Sequence, residues 1–302
     1  MSNPGRRRFL AAAAALPLAP ASAQARPQPA APPATPTPAA RLKLSCNLYS
    51  FNEPLRSGAL SLERAIESCA ELGFDAVDPT GYYFAGYPSP PAAAYVNAVK
   101  HRAFRCGLAI SGTGVRNDFT VPDAARRQAD VEHVGRWLAV AARLGAPCLR
   151  VFDGPGETAG PTRAQMADWV AEALRSCARL GEAAGVVIVF QNHHELLKTA
   201  AEVLALRERV GSEWFALDVD VGSLRTGDPY QEIARLAPFA STWQVKQSVY
   251  RNGVEEKTDL RRLAGIVKAA GYRGYLPLET LGPGEPAAKL RRWLDEVRQA
   301  FA

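Results

Sequence analysis

The chain has 302 residues, and 47% of them are hydrophobic, which is enough for a sizeable buried core. Its formal charge is +6, but three of the arginines form one cluster at residues 6–8, so the rest of the chain is only mildly basic. No block of Lys and Arg with interleaved aromatic residues occurs, and this argues against nucleic acid as a partner.

Residues 1–25 have the pattern of a twin-arginine signal peptide. Arginines 6–8 precede a short apolar run over residues 9–18, and small residues at 21–25 offer cleavage sites. The run is shorter than the roughly 20 residues needed to span a bilayer. We therefore predict export to the periplasm, with no membrane association after the signal is cleaved. A disordered alanine-rich tail is the alternative.

Residues 26–40 consist almost entirely of Ala, Pro, Gln and Thr. Such a segment cannot bury apolar surface and favours an extended, polyproline-like chain. We predict a linker here. The remaining residues, 41–302, are about 260 in number, the usual size of a single α/β barrel.

From residue 41 onwards one pattern repeats: a short apolar run ends in polar residues, a helical stretch follows, and a glycine closes it. Alternating strands and helices imply a parallel sheet. Eight such units predict a closed (β/α)8 TIM barrel. A doubly wound open sheet would need a glycine-rich turn after the first strand, and residues 47–52 contain no glycine. The predicted strands cover residues 42–48, 76–78, 108–112, 148–153, 186–191, 215–218, 242–246 and 275–279.

Local signals mark the helix ends. Thr162 and Gln165 have the spacing of a capping box. Six glycines between helices and strands are predicted to take the left-handed conformation that ends a helix: Gly73, Gly107, Gly145, Gly185, Gly211 and Gly271. The five cysteines are scattered and never form a C-x-x-C pair, so we interpret them as small buried hydrophobic residues.

Polar residues gather at the predicted strand ends, where the sites of such barrels lie. Because alternate residues of a strand face inward, five side chains can converge on the barrel axis. Buried charges are costly unless they are paired or bind a cation, so this cluster predicts a working site. A polar plug in which Lys246 bridges Asp218 and Glu279 is the alternative. The five residues are Gln191, Asp218, Gln244, Lys246 and Glu279.

The strand-end segments resemble the sugar phosphate isomerase/epimerase family, the xylose-isomerase-like TIM barrels that also include endonuclease IV. The resemblance rests on Val-Phe-Gln-Asn-His at 189–193, Leu-Asp-Val at 217–219, Trp-Gln-Val-Lys at 243–246 and Leu-Glu at 278–279. It extends over essentially all of residues 41–302. It implies a small-molecule carbohydrate as ligand, and barrels of this kind often self-associate.

The resemblance also implies a divalent metal ion (manganese, magnesium or zinc) held by strands 5 to 8. Asp218 and Glu279 match the family's ligands. Gln191 stands where the family has a glutamate, and Gln244 where it has a histidine. A carboxamide oxygen can bind a hard cation but brings no charge. Gln191 also cannot transfer a proton, which disfavours an epimerisation that uses two carboxylate bases.

A reaction with one carboxylate base remains open. Glu279 can remove a proton next to a carbonyl while a metal or Lys246 stabilises the enolate oxygen. His193 matches the family's Asn-His pair and is predicted as the second acid or base. Three further residues are predicted to bind substrate, although Arg150 can instead pair with Asp153: Arg150, Asn192 and His194.

These residues lead to one main hypothesis and one alternative. The main hypothesis is an exported isomerase or epimerase, or a lyase acting on keto-sugars. The alternative is a periplasmic sugar-binding barrel that has lost catalysis, because two ligand positions are glutamine. DNA repair like that of endonuclease IV is excluded, because it needs a histidine-rich site of three zinc ions and the chain has four histidines in all.

Overall fold

The computed structural model describes residues 42–155, 160–193 and 195–302. The predicted signal peptide and linker, and His194, lie outside these residues. Their predictions therefore stay predictions.

Strands and helices alternate along the chain as predicted. The strands are β1 (Lys43–Asn47), β2 (Ala76–Asp78), β3 (Ala109–Ile110), β4 (Thr113–Gly114), β5 (Cys148–Val151), β6 (Val187–Gln191), β7 (Phe215–Asp220), β8 (Ala240–Lys246), β9 (Ser248–Arg251), β10 (Val254–Lys257) and β11 (Tyr275–Glu279). The α-helices are α1 (Asn52–Ser57), α2 (Leu62–Leu72), α3 (Ala93–Arg105), α4 (Ala124–Leu144), α5 (Arg163–Ala184), α6 (Ala200–Val210), α7 (Pro229–Leu236), α8 (Leu260–Ala269) and α9 (Pro286–Phe301).

Nine of these strands form a nearly closed parallel barrel, so the predicted TIM-barrel fold is confirmed. Their order is β3-β2-β1-β11-β8-β7-β6-β5-β4. The predicted third strand appears as two pieces, because β3 pairs with β2 whereas β4 pairs with β5. The change of partner falls near Gly112, where a Cβ atom would lie 3.0 Å from Cys148 Sγ. The hairpin of β9 and β10 lies outside this sheet and was not predicted.

The local signals for helix ends hold in the structure. All six predicted glycines have positive φ angles, between 59° and 89°. Both hydrogen bonds of the capping box between Thr162 and Gln165 are present at the start of α5. Short-range geometry therefore sets the helix ends.

The core lies between the strands and the surrounding helices. Three tryptophans, Trp137, Trp243 and Trp293, are fully buried in it. All five cysteines are free thiols, and four of them are buried, which agrees with their interpretation as core residues. Over the residues described, no helix combines the length and the apolar character that a membrane span requires.

Candidate active site

A cavity of about 650 Å³ opens at the carboxyl ends of the barrel strands. Its lining comes from separate strands and the loops that follow them. The lining residues from strand ends are Asn47, Arg150, Gln191, Lys246 and Glu279, and those from loops include Tyr49, Tyr82, Arg116, Phe152, His193 and Glu195. Aromatic rings and charged groups thus share one concave surface, which is typical of small-molecule sites.

Lys246, Asp220, Glu279 and Gln191 form one buried group, here called the lysine cluster. Lys246 Nζ lies 2.7 Å from Asp220 Oδ2 and 3.3 Å from Glu279 Oε1. Gln191 Nε2 donates a 2.7 Å hydrogen bond to the same Asp220 oxygen. Burial by itself lowers the pKa of Lys246, but the charges of Asp220 and Glu279 outweigh it and raise the pKa. The lysine is therefore a permanent cation at neutral pH.

Asp220 is the residue of this cluster that the predicted site does not include. Its side chain is fully buried. Burial alone raises the pKa of Asp220, but the charges of Lys246 and His193 outweigh this effect and lower the pKa below its usual value. The carboxylate is therefore ionised. The spacing held a signal: Asp220 follows Asp218 by two positions in β7, so both side chains face the same side of the sheet.

Arg150, Asp78, Asp218 and Gln244 form a second group, here called the arginine cluster. The Arg150 guanidinium donates to Asp78 Oδ2 and lies 3.8 Å from Asp218 Oδ2. It also donates a 3.3 Å hydrogen bond to Thr80 Oγ1. The alternative prediction, a pair between Arg150 and Asp153, is therefore wrong. Burial raises the pKa of Asp218 to about 7, despite the opposing effect of Arg150.

The amide of Gln244 fixes the base of the arginine cluster. Gln244 Nε2 donates to Asp218 Oδ2 at 3.1 Å, and Gln244 Oε1 accepts from Asn47 Nδ2 at 2.7 Å. Neither Asp218 nor Gln244 lines the cavity. This cluster therefore forms the floor beneath the cavity. Arg150 is its one member that also lines the cavity.

The four predicted metal ligands divide between two sets of hydrogen bonds and ion pairs. Gln191 and Glu279 belong to the lysine cluster, whereas Asp218 and Gln244 belong to the arginine cluster. Both glutamines present amide nitrogens to carboxylates, and Lys246 already binds Glu279. Within the described parts of the chain, no group of three or more His, Cys, Asp or Glu side chains could hold a metal ion. The residues present do not fit a divalent ion bound by these four side chains.

His193 and Glu195 form a third polar group on the cavity wall. His193 Nδ1 lies 2.6 Å from Glu195 Oε1, and the imidazole packs edge-on against Phe152. Burial lowers the pKa of His193, but the hydrogen bond to Glu195 and the charge of Asp220 outweigh it and raise the pKa above its usual value. The pair therefore favours the protonated imidazole at the cavity wall.

Asn192 has a different place from the one predicted. Its Nδ2 donates to the Asp220 carbonyl at 3.0 Å, and its Oδ1 accepts from the Asp220 amide at 2.9 Å. The side chain is buried and does not line the cavity. Both ends of the amide are used to fix the backbone at the end of β7, so Asn192 holds Asp220 in position.

Aromatic residues line one side of the cavity. Tyr49 and Tyr82 meet edge to face with ring centroids 6.4 Å apart, and the Arg116 guanidinium lies 5.0 Å from the Tyr82 ring centroid. Both tyrosines are in the cavity lining. Their rings offer flat apolar surfaces beside the charged groups of the strand ends.

Several solved structures share this fold at low sequence identity. A D-psicose 3-epimerase crystallised in the presence of D-fructose is 15% identical and superposes with a TM-score of 0.74, over 86% of this chain and 99% of that chain. The 3-keto-D-glucoside 4-epimerase from E. coli is also 15% identical, with a TM-score of 0.70 over 86% and 100% of the two chains.

A further solved structure carries a metal ion. It is a xylose isomerase-like TIM barrel protein from Mycobacterium smegmatis in complex with magnesium. It is 16% identical, with a TM-score of 0.67 over 87% of this chain and 98% of that chain. No curated protein sequence matches the chain significantly.

A family assignment follows from the sequence match itself. Residues 66–297 match the family described as xylose isomerase-like TIM barrel. The match spans most of the barrel, from α2 to α9, and agrees with the strand order and with the position of the cavity. The chain therefore belongs to the xylose isomerase-like TIM-barrel family.

Proposed function

We propose that the protein is an enzyme of the sugar isomerase or epimerase type, which transfers a proton at a carbon next to a carbonyl group of a sugar or keto-sugar. One observation carries the proposal: the Glu279 carboxylate and the His193–Glu195 pair line the same cavity. Such a reaction needs a base for the carbon and an acid for the oxygen, and these groups supply both. The sugar epimerases among the similar structures support the same class of substrate.

Each group has a role in this proposal. Glu279 takes the proton from carbon, and its carboxylate is held by Lys246 at 3.3 Å. His193 gives a proton to the carbonyl oxygen or receives one from the neighbouring hydroxyl group. Arg150 and Gln191 present N–H groups to the sugar hydroxyls from the cavity wall. Tyr49 and Tyr82 pack against the apolar C–H faces of the sugar.

Solvent deuterium exchange tests the proposal directly. Ketoses and keto-glycosides are incubated with the protein in D2O, and loss of the C–H signal is followed by NMR. We expect exchange with at least one of these sugars, and Glu279→Gln should slow it by about 100-fold or more. The matched control is Glu172→Gln, on the exposed face of α5, which should leave the rate unchanged. Equal rates for Glu279→Gln and the wild type would contradict the role of Glu279.

A sugar-binding barrel without catalysis is the second candidate. It is favoured by the neutral Gln191, which can donate hydrogen bonds to a ligand but cannot act as a proton acceptor in catalysis. In that case titration calorimetry would detect binding of a sugar whose C–H protons do not exchange. Exchange accelerated by the protein for any bound sugar would exclude this candidate.

We also propose that the chain is exported through the twin-arginine route, on the basis of the pattern in residues 1–25. The test is cell fractionation of the full chain. We expect a shortened product in the periplasm, and replacement of arginines 6–8 by lysine should keep the unprocessed chain in the cytoplasm. Periplasmic processing that survives this replacement would contradict the route.

A further inference from the structure

The carboxylates of Asp220 and Glu279 form a position that can hold one cation. The ammonium group of Lys246 occupies it. We propose that its ammonium group acts as a built-in electrophile in place of a bound divalent ion, so that the protein works without a metal. The chemical part of this inference rests on the proposed function. The metal-binding part does not, because it can be measured without any substrate.

The contacts of the ammonium group are the first argument. It lies 2.7 Å from Asp220 Oδ2 and 3.3 Å from Glu279 Oε1, and the Lys246 side chain is only 12% exposed. An ammonium group has three N–H donors, and these two carboxylates engage two of them. The third donor remains for an oxygen atom of a ligand in the cavity that Lys246 lines.

The backbone beside the lysine is the second, independent argument. A Cβ atom at Gly222 would lie 2.8 Å from Lys246 Cδ and 3.0 Å from the Ser248 carbonyl oxygen. A side chain at position 222 would therefore displace the lysine stem. Because Gly222 has no side chain, the stem of Lys246 has room to extend to the cavity.

The hydrogen bonds of Asp220 also disfavour a metal ion. Besides the lysine, Asp220 accepts hydrogen bonds from Gln191 Nε2 at 2.7 Å, Ser223 Oγ at 2.8 Å and the Gly222 amide at 2.9 Å. All these partners are hydrogen-bond donors, so they occupy lone pairs of the carboxylate oxygens that a metal ion would need. A divalent ion needs several oxygen ligands with free lone pairs. Here it would have to displace a cation and several donors together.

The proposed step conserves protons and electrons. The Glu279 carboxylate takes the proton from the carbon next to the carbonyl. The electron pair of that C–H bond forms a C=C bond, and the carbonyl π electrons move onto oxygen. The resulting enolate oxygen accepts a hydrogen bond from Lys246 Nζ, where a preorganised cation stabilises the developing charge. For an isomerisation, Glu279 returns the proton to the adjacent carbon while His193 moves the hydroxyl proton from one oxygen to the other. For an epimerisation, His193 delivers a proton to the opposite face of the original carbon, and the carbonyl group re-forms.

Binding of Mn²⁺ to the purified full chain tests the inference. Free Mn²⁺ is measured by electron paramagnetic resonance during titration to 1 mM, after dialysis against a chelator. We expect no stoichiometric binding, and we expect deuterium exchange to be unchanged by the chelator. One Mn²⁺ bound per chain with a Kd below about 100 μM would overturn the inference, whatever the substrate turns out to be.

Two variants locate the obstacle to metal binding. Lys246→Ala removes the ammonium and opens its position, and it should increase the affinity for Mn²⁺ at least tenfold over the wild type. Lys246→Met keeps the bulk of the side chain without the charge, and it should show a smaller increase. Folding of both variants is checked by circular dichroism. If neither folded variant gains affinity, the carboxylates do not form a cation position and the inference is overturned; the wild-type titration decides the case alone if both unfold.

Discussion

Asn47 Nδ2 donates a 2.7 Å hydrogen bond to Gln244 Oε1, and this bond joins β1 to β8 across the intervening strand β11. The bond orients the Gln244 amide so that its nitrogen faces Asp218. A residue next to the first turn of the barrel thereby sets the polarity of the floor beneath the cavity.

Asn47→Ala should destabilise the protein by about 1–3 kcal/mol, because it leaves the buried Gln244 oxygen without a donor. Urea denaturation followed by circular dichroism measures the change. Asn97→Ala, on the exposed face of α3, is the control and should change the free energy of unfolding by less than about 0.5 kcal/mol. Equal stability of the two variants would mean that the bond does not support the floor.

Arg150→Leu should cost about 3–5 kcal/mol of stability, because it leaves Asp78 and Asp218 buried without their cation. The exposed pair of Arg209 and Asp168 offers the comparison. Arg209→Leu should cost no more than about 1 kcal/mol, since solvent screens that pair. Both variants are compared by urea denaturation at neutral pH. A cost for Arg150→Leu as small as that for Arg209→Leu would show that the arginine cluster is not an ion-pair support.

The pH dependence of stability should carry a contribution from Asp218. Burial raises its pKa from 3.8 to about 7, so between these pH values the folded state binds more protons than the unfolded state. The contribution of this group to the free energy of unfolding is therefore complete below about pH 4. It is lost as the pH rises toward 7, by up to about 4 kcal/mol.

Asp218→Asn removes this titration. The free energy of unfolding, measured in urea at several pH values, should fall less steeply between pH 4 and 7 in the variant than in the wild type. Buried Asp153, whose pKa burial raises to about 6, stays present in both proteins and cancels in the difference. Parallel pH curves for the two proteins would contradict the raised pKa of Asp218.

The His193–Glu195 pair predicts a shift that NMR can detect. The hydrogen bond to Glu195 raises the pKa of His193, so Glu195→Gln should lower that pKa. The measurement is a pH titration of the imidazole Cε1–H resonance. Glu208→Gln, on the exposed side of α6, is the control and should leave the titration unchanged. An unchanged pKa in Glu195→Gln would show that the pair does not hold a proton on the imidazole.

The sequence predicted the barrel well because its signals are local. The glycines at helix ends act through φ angles within one or two residues, and the capping box of Thr162 closes within a single turn. The polar strand ends were also predictable, since parallel strands of a barrel all end at the same mouth. Glu279, Lys246, Gln191 and Arg150 accordingly lie together around the cavity.

The partners of these residues were not predictable in the same way. The alternative interpretation, a polar plug, had Lys246 bridging Asp218 and Glu279, whereas in the structure Lys246 bridges Asp220 and Glu279. The reason lies in the pairing of β7 with β8: the register shifts between Leu217 and Asp218, so Ser241 is skipped and Asp220 pairs with Gln244. Asp220, at the end of β7, therefore comes within reach of Lys246.

The amino-acid sequence by itself determined the alternation of strands and helices, the helix ends and the set of polar residues at the barrel mouth, because these depend on short-range periodicity and backbone geometry. Only the tertiary structure decided how those residues divide into a lysine cluster and an arginine cluster. That division follows from strand register and from which buried charge lies nearest to which, and both depend on contacts between residues far apart in the chain.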